Sequence, residues 1–243
     1  MHLESIRSRL METTIGIVVF VFGGALFLAF RQTSILQAES MSRFVQGTSQ
    51  SEANSISGEL ERKIGFVRAM ALSAAGMSGL QDSQKLASLE KLAGRLVTEN
   101  GVSAAYFTFE PGRFFSTKIG RTHPGVAYYK KSDGGTQVDP NGYDQPVPPT
   151  DDWYWMPIKR GKESVVEPYW WAYGGSKDSI LMISVVAPVR VESEIVGVAG
   201  IDVPLAQLQT EVGKIKPIDG SYALLVSQKG LRVAHPKPEM LAK

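Results

Sequence analysis

The chain has 243 residues, a net charge of +2 and no cysteine. Its length suits one or two domains, and the balanced charge gives no basic surface of the kind that binds nucleic acid. The lack of cysteine excludes disulfide frameworks, iron–sulfur clusters, thiolate zinc sites and thiol nucleophiles. The only histidines are His2, His123 and His235. We therefore expect neither a metal site nor a cofactor.

An uncharged run from Thr13 to Phe30 is the first element of the chain. As a helix, its length nearly matches a hydrocarbon core of roughly 30 Å. A cleaved signal peptide is the alternative, but it would need a shorter apolar core and a small-residue cleavage site. We predict a cytoplasmic N-terminus over 1–12 and a transmembrane helix over 13–30. The bulk of the chain would then lie outside the cytoplasm, anchored in the inner (plasma) membrane.

Helical spacing of apolar residues continues beyond this segment, and no proline occurs before residue 111. We predict one stalk helix over 32–80. Two shorter helices, broken near Gly47, are the alternative.

The pattern then changes to a mixture of helix and strand. An apolar stripe predicts a second helix with Ser83 as its cap and Gly101 after its end. Glycine, proline, aspartate and asparagine are frequent over 130–152, which indicates a long loop or lid. A helix is expected to open at Pro204. Strands are predicted over 102–109, 113–119, 164–166, 179–189 and 195–203, with a final hairpin over 222–234.

Aromatic residues are concentrated in one stretch: all four tryptophans lie between residues 153 and 171. Four tyrosines lie in or near the same stretch, namely Tyr143, Tyr154, Tyr169 and Tyr173. Core packing is one explanation. Interleaved charged residues favour another, because ring faces and carboxylates together suit an organic cation. Stacking on a sugar is a third.

Asp202 interrupts the apolar strand IVGVAGIDV just before Pro204. A charge in such a strand is costly unless it is paired or solvated. It is either a strand-end acid satisfied by backbone N–H groups or a carboxylate that serves a pocket.

Five motifs occur in an order that resembles the pocket-bearing half of a double Cache sensor domain. Such domains are the extracytoplasmic ligand-binding parts of bacterial methyl-accepting chemotaxis receptors and of some sensor kinases. The motifs are the pair Trp153-Tyr154, the Gly161 turn, Glu167-Pro168-Tyr169, Ala187-Pro188-Val189 and Gly200-Ile201-Asp202.

The resemblance implies an α+β fold in which a transmembrane helix and a long stalk helix support PAS-like modules with antiparallel sheets. A membrane-distal module over 81–216 would hold the ligand. Residues 217–243 would begin a second, membrane-proximal module that is left incomplete, so we expect the chain to be the N-terminal part of a receptor.

The resemblance also implies a ligand site. Amino-acid-binding members place an Arg two residues before the Trp and an Asp two residues after the Tyr of the Glu-Pro-Tyr motif. Here those positions are Asp151 and Trp171, whereas the Asp of the last motif is kept as Asp202. Losing the Arg removes the clamp for a carboxylate, so we expect a cationic amine. The candidate ligand-binding residues are Asp151, Trp153, Tyr154, Tyr169, Trp171 and Asp202.

The function implied is that of a chemoreceptor sensor region, a homodimer through its stalk helix, which binds a small amine or amino-acid-like ligand and is not an enzyme. The sensor of a histidine kinase or cyclase is one alternative. An anchored hydrolase that uses Asp151, Asp152 and Glu167 as acid and base is another.

Overall fold

The computed structural model describes residues 2–99, 102–116, 122–131, 134–139, 144–145 and 147–243. The chain divides into two compact units, Met1–Ala53 and Asn54–Lys243.

Helix α1 spans His2–Ala75 and provides all the described structure of the first unit. It is long and apolar enough to cross a membrane. The large apolar side chains of its predicted span are exposed, with Phe20 at 83%. The helix runs without interruption through Gly47, so the alternative of two helices broken there is wrong. It ends at Ala75, slightly before the predicted residue 80.

The second unit is built on an antiparallel sheet. Its strands follow the order β3-β2-β1-β8-β7-β5, with β4 paired to β2 and β6 paired to β7. Their bounds are β1 Ala104–Phe109, β2 His123–Lys130, β3 Thr136–Val138, β4 Asp144–Gln145, β5 Ser164–Val165, β6 Tyr169–Trp171, β7 Ile180–Val191 and β8 Glu194–Pro204.

One face of this sheet packs against the end of α1 and against α2, which spans Asp82–Glu99. Because side chains alternate along a strand, Ala105, Phe107 and Phe109 of β1 all enter this apolar core. The opposite face carries Tyr106 and is covered by α3, Asp152–Arg160. Helix α2 begins one residue before Ser83, which therefore lies in the first turn and is not the predicted cap.

A short helix and a hairpin end the chain. Helix α4 spans Leu205–Val212, with Pro204 at its N-cap position. Strands β9 (Leu225–Val226) and β10 (Arg232–Ala234) pair with each other, so the predicted final hairpin is present but shorter than expected. Val233 packs on the same apolar cluster as Leu205 and Leu208.

Three expectations need correction. The strand predicted over 113–119 is wrong for residues 113–116, since Arg113 closes a turn and Phe114 stacks on Phe109 in the core. Residues 117–119 lie outside the described residues. The strand that returns beside β1 is β2. The predicted loop over 130–152 contains β3 and β4, and parts of it lie outside the described residues. Helix α3 was not predicted.

Candidate functional site

A small cavity opens on the sheet face opposite α1 and α2. Its volume is about 30 Å³. Most of its wall is aromatic, and we call it the aromatic cavity. The residues that line it are Tyr106, Ala127, Asp139, Trp153, Tyr169, Trp171 and Tyr173.

Helix α3 and strand β6 place three of these aromatic rings. Gly161 ends α3 with a left-handed φ of 63°, a conformation that glycine adopts without strain. Trp153, in the first turn of α3, meets the ring of Tyr106 edge-on at 5.3 Å between centroids. In β6, alternation turns Tyr169 and Trp171 toward the cavity and leaves Trp170 between them 63% exposed.

Asp202 lies beneath this cavity, 3% exposed, and is held by side-chain hydroxyl groups. Ser184 donates to its Oδ1 at 2.5 Å and Tyr173 donates to its Oδ2 at 2.7 Å. Tyr169 Oη is 2.6 Å from Ser184 Oγ. Because the Ser184 proton is used on Asp202, Tyr169 donates to Ser184. The hydroxyl protons therefore all point toward the carboxylate.

Burial raises the pKa of the Asp202 carboxyl to about 6, and the hydrogen bonds from Ser184 and Tyr173 oppose that rise. Desolvation disfavours the charged form and donated hydrogen bonds favour it. This arrangement differs from a strand-end acid satisfied by backbone N–H groups, because its described side-chain donors are hydroxyls. At neutral pH the group is mainly a carboxylate.

The structure brings together most of the predicted site residues. Trp153, Tyr169 and Trp171 line the aromatic cavity, and Asp202 is reached from it through the Tyr169 and Tyr173 hydroxyls. Asp151 lies at the start of α3, where its Oδ2 accepts a hydrogen bond of 3.2 Å from the Trp153 indole. Partial burial raises the pKa of Asp151. It supports the cavity wall rather than forming part of it.

Tyr154 does not line the aromatic cavity, which corrects its prediction as a wall residue. Its side chain is fully buried, and its hydroxyl donates to Glu110 at 2.8 Å. The ring meets His123 edge-on at 5.0 Å. Neighbouring residues on a helix point about 100° apart, and of these two only Trp153 lines the aromatic cavity.

Four lining residues were missing from the predicted set: Tyr106, Ala127, Asp139 and Tyr173. Asp139 is 5% exposed, and its Oδ2 accepts a hydrogen bond from the Gly174 N–H. Tyr173 was noted in the aromatic stretch but not assigned to the site, and it stacks on Tyr129 at 5.1 Å. Tyr143, noted in the same stretch, lies outside the described residues.

A second cleft of about 450 Å³ lies between α1, the segment before β6 and the final hairpin. Glu163, Glu167 and Lys63 are among its lining residues, but none of the six predicted site residues is. Within the described part of the chain, no cluster of His, Asp or Glu could hold a metal ion. The aromatic cavity is therefore the place where the predicted residues meet.

The chemistry of the aromatic cavity suits a positive charge. Ring faces of Trp and Tyr attract a cation with about 0.5–2 kcal/mol each. Asp139 is in the wall and Asp202 beneath it, whereas no Lys or Arg occurs among the lining residues that are described. A carboxylate ligand would meet negative charge there without a compensating cation.

Comparison with known proteins gives the family. Residues 89–210, half of the chain, match the family described as methyl-accepting chemotaxis protein-like, first PDC sensor domain. A curated relative is the methyl-accepting chemotaxis protein PscA of Pseudomonas syringae pv. tomato. It is 25% identical over 162 residues, which cover 67% of this chain and 22% of PscA. The match thus spans about a fifth of that relative.

Solved structures share the fold. The extracellular domain assigned to the histidine kinase mmHK1S-Z3 has a TM-score of 0.65 at 22% identity, over 82% of this chain and 72% of that one. The ligand-binding domain of the Pseudomonas fluorescens chemoreceptor CtaA, solved with L-serine, has a TM-score of 0.54 at 21% identity. That match covers 79% of this chain and 70% of CtaA's.

These matches confirm the predicted resemblance to double Cache sensor domains and the predicted combination of a long helix with an antiparallel sheet. The family match includes β1 to β8 and α3, and with them the aromatic cavity. The chain belongs to the family of methyl-accepting chemotaxis protein-like first PDC sensor domains.

Proposed function

We propose that the chain is the extracytoplasmic sensor region of a bacterial chemoreceptor and that its aromatic cavity binds a small cationic amine. The observation that carries this proposal is the buried carboxylate of Asp202, set beneath Tyr169, Tyr173 and the other rings of the cavity. Ring faces and a buried negative charge stabilise the same kind of ligand.

The CtaA ligand-binding domain was solved with an amino acid, L-serine. An amino acid needs a cationic group for its carboxylate, best supplied by the planar fork of an arginine. This chain has Asp151 and Trp171 at the two positions where amino-acid-binding members have Arg and Asp. Both changes favour an amine over an α-amino acid.

The aromatic cavity, at about 30 Å³, is tight for an organic amine, so we expect a ligand to displace part of the wall. Trp171 is only partly buried and lies next to the exposed Trp170, so we propose it as a wall residue that moves. Ligand entry would then favour one arrangement of the domain over another, which is how binding biases a receptor. A coupling free energy of about 1–3 kcal/mol suffices for a graded response.

The same proposal places residues 13–30 of α1 in the inner membrane as a single span, with residues 81–216 as a membrane-distal module and 217–243 as the start of a membrane-proximal one. We also propose a homodimer through the stalk part of α1, where Met41 and Phe44 are exposed. Leu60 is unsuited to such a seam, because it packs on the core of its own chain. Cross-linking of Met41→Cys between two chains tests the seam, and its failure there and at Phe44→Cys would contradict it.

The central test is calorimetry on the full chain in maltoside micelles, with a panel of small amines and of amino acids. Wild type is expected to bind at least one amine and no ordinary amino acid. Trp171→Ala should weaken that binding roughly tenfold, since one ring contact is lost. Trp170→Ala is the matched control, with an exposed ring on the neighbouring residue, and should leave affinity unchanged. Amino-acid binding without amine binding would contradict the proposal.

A histidine-kinase sensor is the second candidate, because the mmHK1S-Z3 domain has the same fold. The coding sequence downstream of Lys243 distinguishes the two outputs. We propose no enzymatic activity: Asp151 lies at the start of α3, whereas Glu167 lines the second cleft. Turnover of a chromogenic glycoside panel would overturn that part.

A further inference from the structure

Tyr106 carries a polar group that the protein itself does not satisfy. The side chain is 8% exposed, lines the aromatic cavity, and has no hydrogen-bond partner for its hydroxyl among the described residues. A buried hydroxyl left unpaired is costly. A ligand that enters the cavity and displaces part of its wall can supply the missing hydrogen-bond partner.

In the described hydrogen-bond network, none of the neighbouring hydroxyl groups has a proton left for the Tyr106 oxygen. The protons of Ser184 and Tyr173 are used on Asp202, and Tyr169 donates to Ser184. Burial raises the pKa of the Tyr106 phenol well above its usual value, and the negative charge of Asp202 adds to this. Tyr106 therefore keeps its proton and can donate it into the cavity.

The fold makes room for this hydroxyl. Tyr106 of β1 lies directly opposite Gly200 of β8, and a Cβ at Gly200 would collide with the Tyr106 ring and hydroxyl. The edge of the ring is held against Trp153. The phenol is thus fixed in place at the cavity wall, as a group that recognises a ligand must be.

From this geometry we infer that Tyr106 is a ligand-binding residue whose hydroxyl donates a hydrogen bond to a second polar group of the ligand. The ligand would then be an amine that also carries a neutral oxygen, such as a hydroxyl or carbonyl. The inference rests on the proposed function and narrows its ligand class. A carboxylate in that role is disfavoured by Asp139 and Asp202, which already bring negative charge to the cavity.

The test compares ligands of equal size that differ in one group, on the full chain in maltoside micelles. Choline is paired with propyltrimethylammonium, and ethanolamine with propylamine; in each pair a hydroxyl is replaced by a methyl. For wild type, the hydroxyl-bearing member should bind more tightly in at least one pair. In Tyr106→Phe the ratio of the two dissociation constants within that pair should fall by roughly tenfold, which is the usual contribution of a buried hydrogen bond to a polar partner. The ring, and with it the packing on Gly200 and Trp153, is kept.

Tyr222→Phe is the matched control, because Tyr222 is largely exposed and does not line the cavity; its preference should equal that of wild type. If Tyr106→Phe binds the amines with an unchanged preference for the hydroxyl-bearing member, Tyr106 does not contact that hydroxyl. The inference then fails, while the proposed amine site stands. If wild type binds none of the four amines, the inference and the proposed function fail together.

Discussion

The two faces of one antiparallel sheet are put to opposite uses. On the face toward α1 and α2, Phe107 and Phe109 of β1 lie beside Ala199 and Ile201 of β8, and every one of these side chains is apolar and buried. On the cavity face, the alternate residues of the same two strands include Tyr106, Gly200 and Asp202. The difference arises because successive side chains of a strand point to opposite faces of the sheet.

This difference separates stability from recognition. The apolar face removes large side chains from water, which is the main favourable contribution to folding. The cavity face instead holds a buried carboxyl and four hydroxyl-bearing side chains, Ser184, Tyr106, Tyr169 and Tyr173. Buried polar groups are costly unless they are hydrogen-bonded. Substitutions on the two faces should therefore change stability by different amounts and for different reasons.

Truncation on the apolar face should have the largest effect. Phe107→Ala removes a fully buried ring, and a cavity of that kind costs about 3–5 kcal/mol of the free energy of unfolding. Urea unfolding of the full chain in micelles, followed by tryptophan fluorescence, measures the loss. Trp170→Ala, at an exposed position, should cost under about 0.5 kcal/mol. A loss below about 1 kcal/mol for Phe107→Ala would contradict the assignment of this face as the main core.

A smaller loss of unfolding free energy is expected on the cavity face, where β1 and β8 pair. Gly200→Ala would place a methyl group against the Tyr106 ring and hydroxyl, and overpacking of this kind costs up to about 3 kcal/mol. The cause is tested with a double-mutant cycle, since Tyr106→Ala vacates the space. If Gly200→Ala costs as much in the Tyr106→Ala background as in wild type, the collision is not the reason.

The sequence predicts the apolar face well, because its periodicity is strong and local. Strands β7 and β8 lie within two residues of their predicted bounds, and α2 occurs where its apolar stripe predicted a helix. Helix α3 was missed since residues 151–161 mix aromatic and charged side chains without a clear period. The unexpected orientation of Tyr154 follows directly from that omission.

The cavity face was predicted only in part, because its contacts join residues far apart in the chain. Asp202 was recognised as unusual from its apolar surroundings, but its hydroxyl partners Ser184 and Tyr173 come from other elements. Asp139 lay in a segment predicted to be a loop, with no local signal of burial. Tyr106 looked like any strand tyrosine until its pairing with Gly200 was known.

The cavity face should also respond to pH where the apolar face cannot. Asp202 has a pKa of about 6 in the folded chain, above its usual 3.8, because of burial. Between these values the folded state holds a proton that the unfolded state has lost, so stability falls as pH rises. From pH 4 to pH 6 this one group should lower the free energy of unfolding by about 2 kcal/mol.

Asp202→Asn removes that titration while keeping a side chain of the same size. Two other carboxyl groups act in the opposite direction: the hydrogen bond from Arg68 lowers the pKa of Glu163, and contacts with Ser116 lower that of Asp82. Asp151, whose pKa is raised by partial burial, acts in the same direction as Asp202. Their contributions are common to wild type and variant, so the difference in unfolding free energy between the two chains, followed from pH 4 to pH 7, isolates Asp202.

The variant should therefore gain stability relative to wild type as pH rises through this range, whatever fixed cost the amide brings at pH 4. Ligand affinity should move the other way in wild type, strengthening as Asp202 becomes charged near pH 6, because the cation then gains its counter-charge. A stability difference that is flat from pH 4 to pH 7 would mean that Asp202 titrates like a solvated carboxyl. The cavity face would then lack the buried charge on which the proposed recognition of a cation depends.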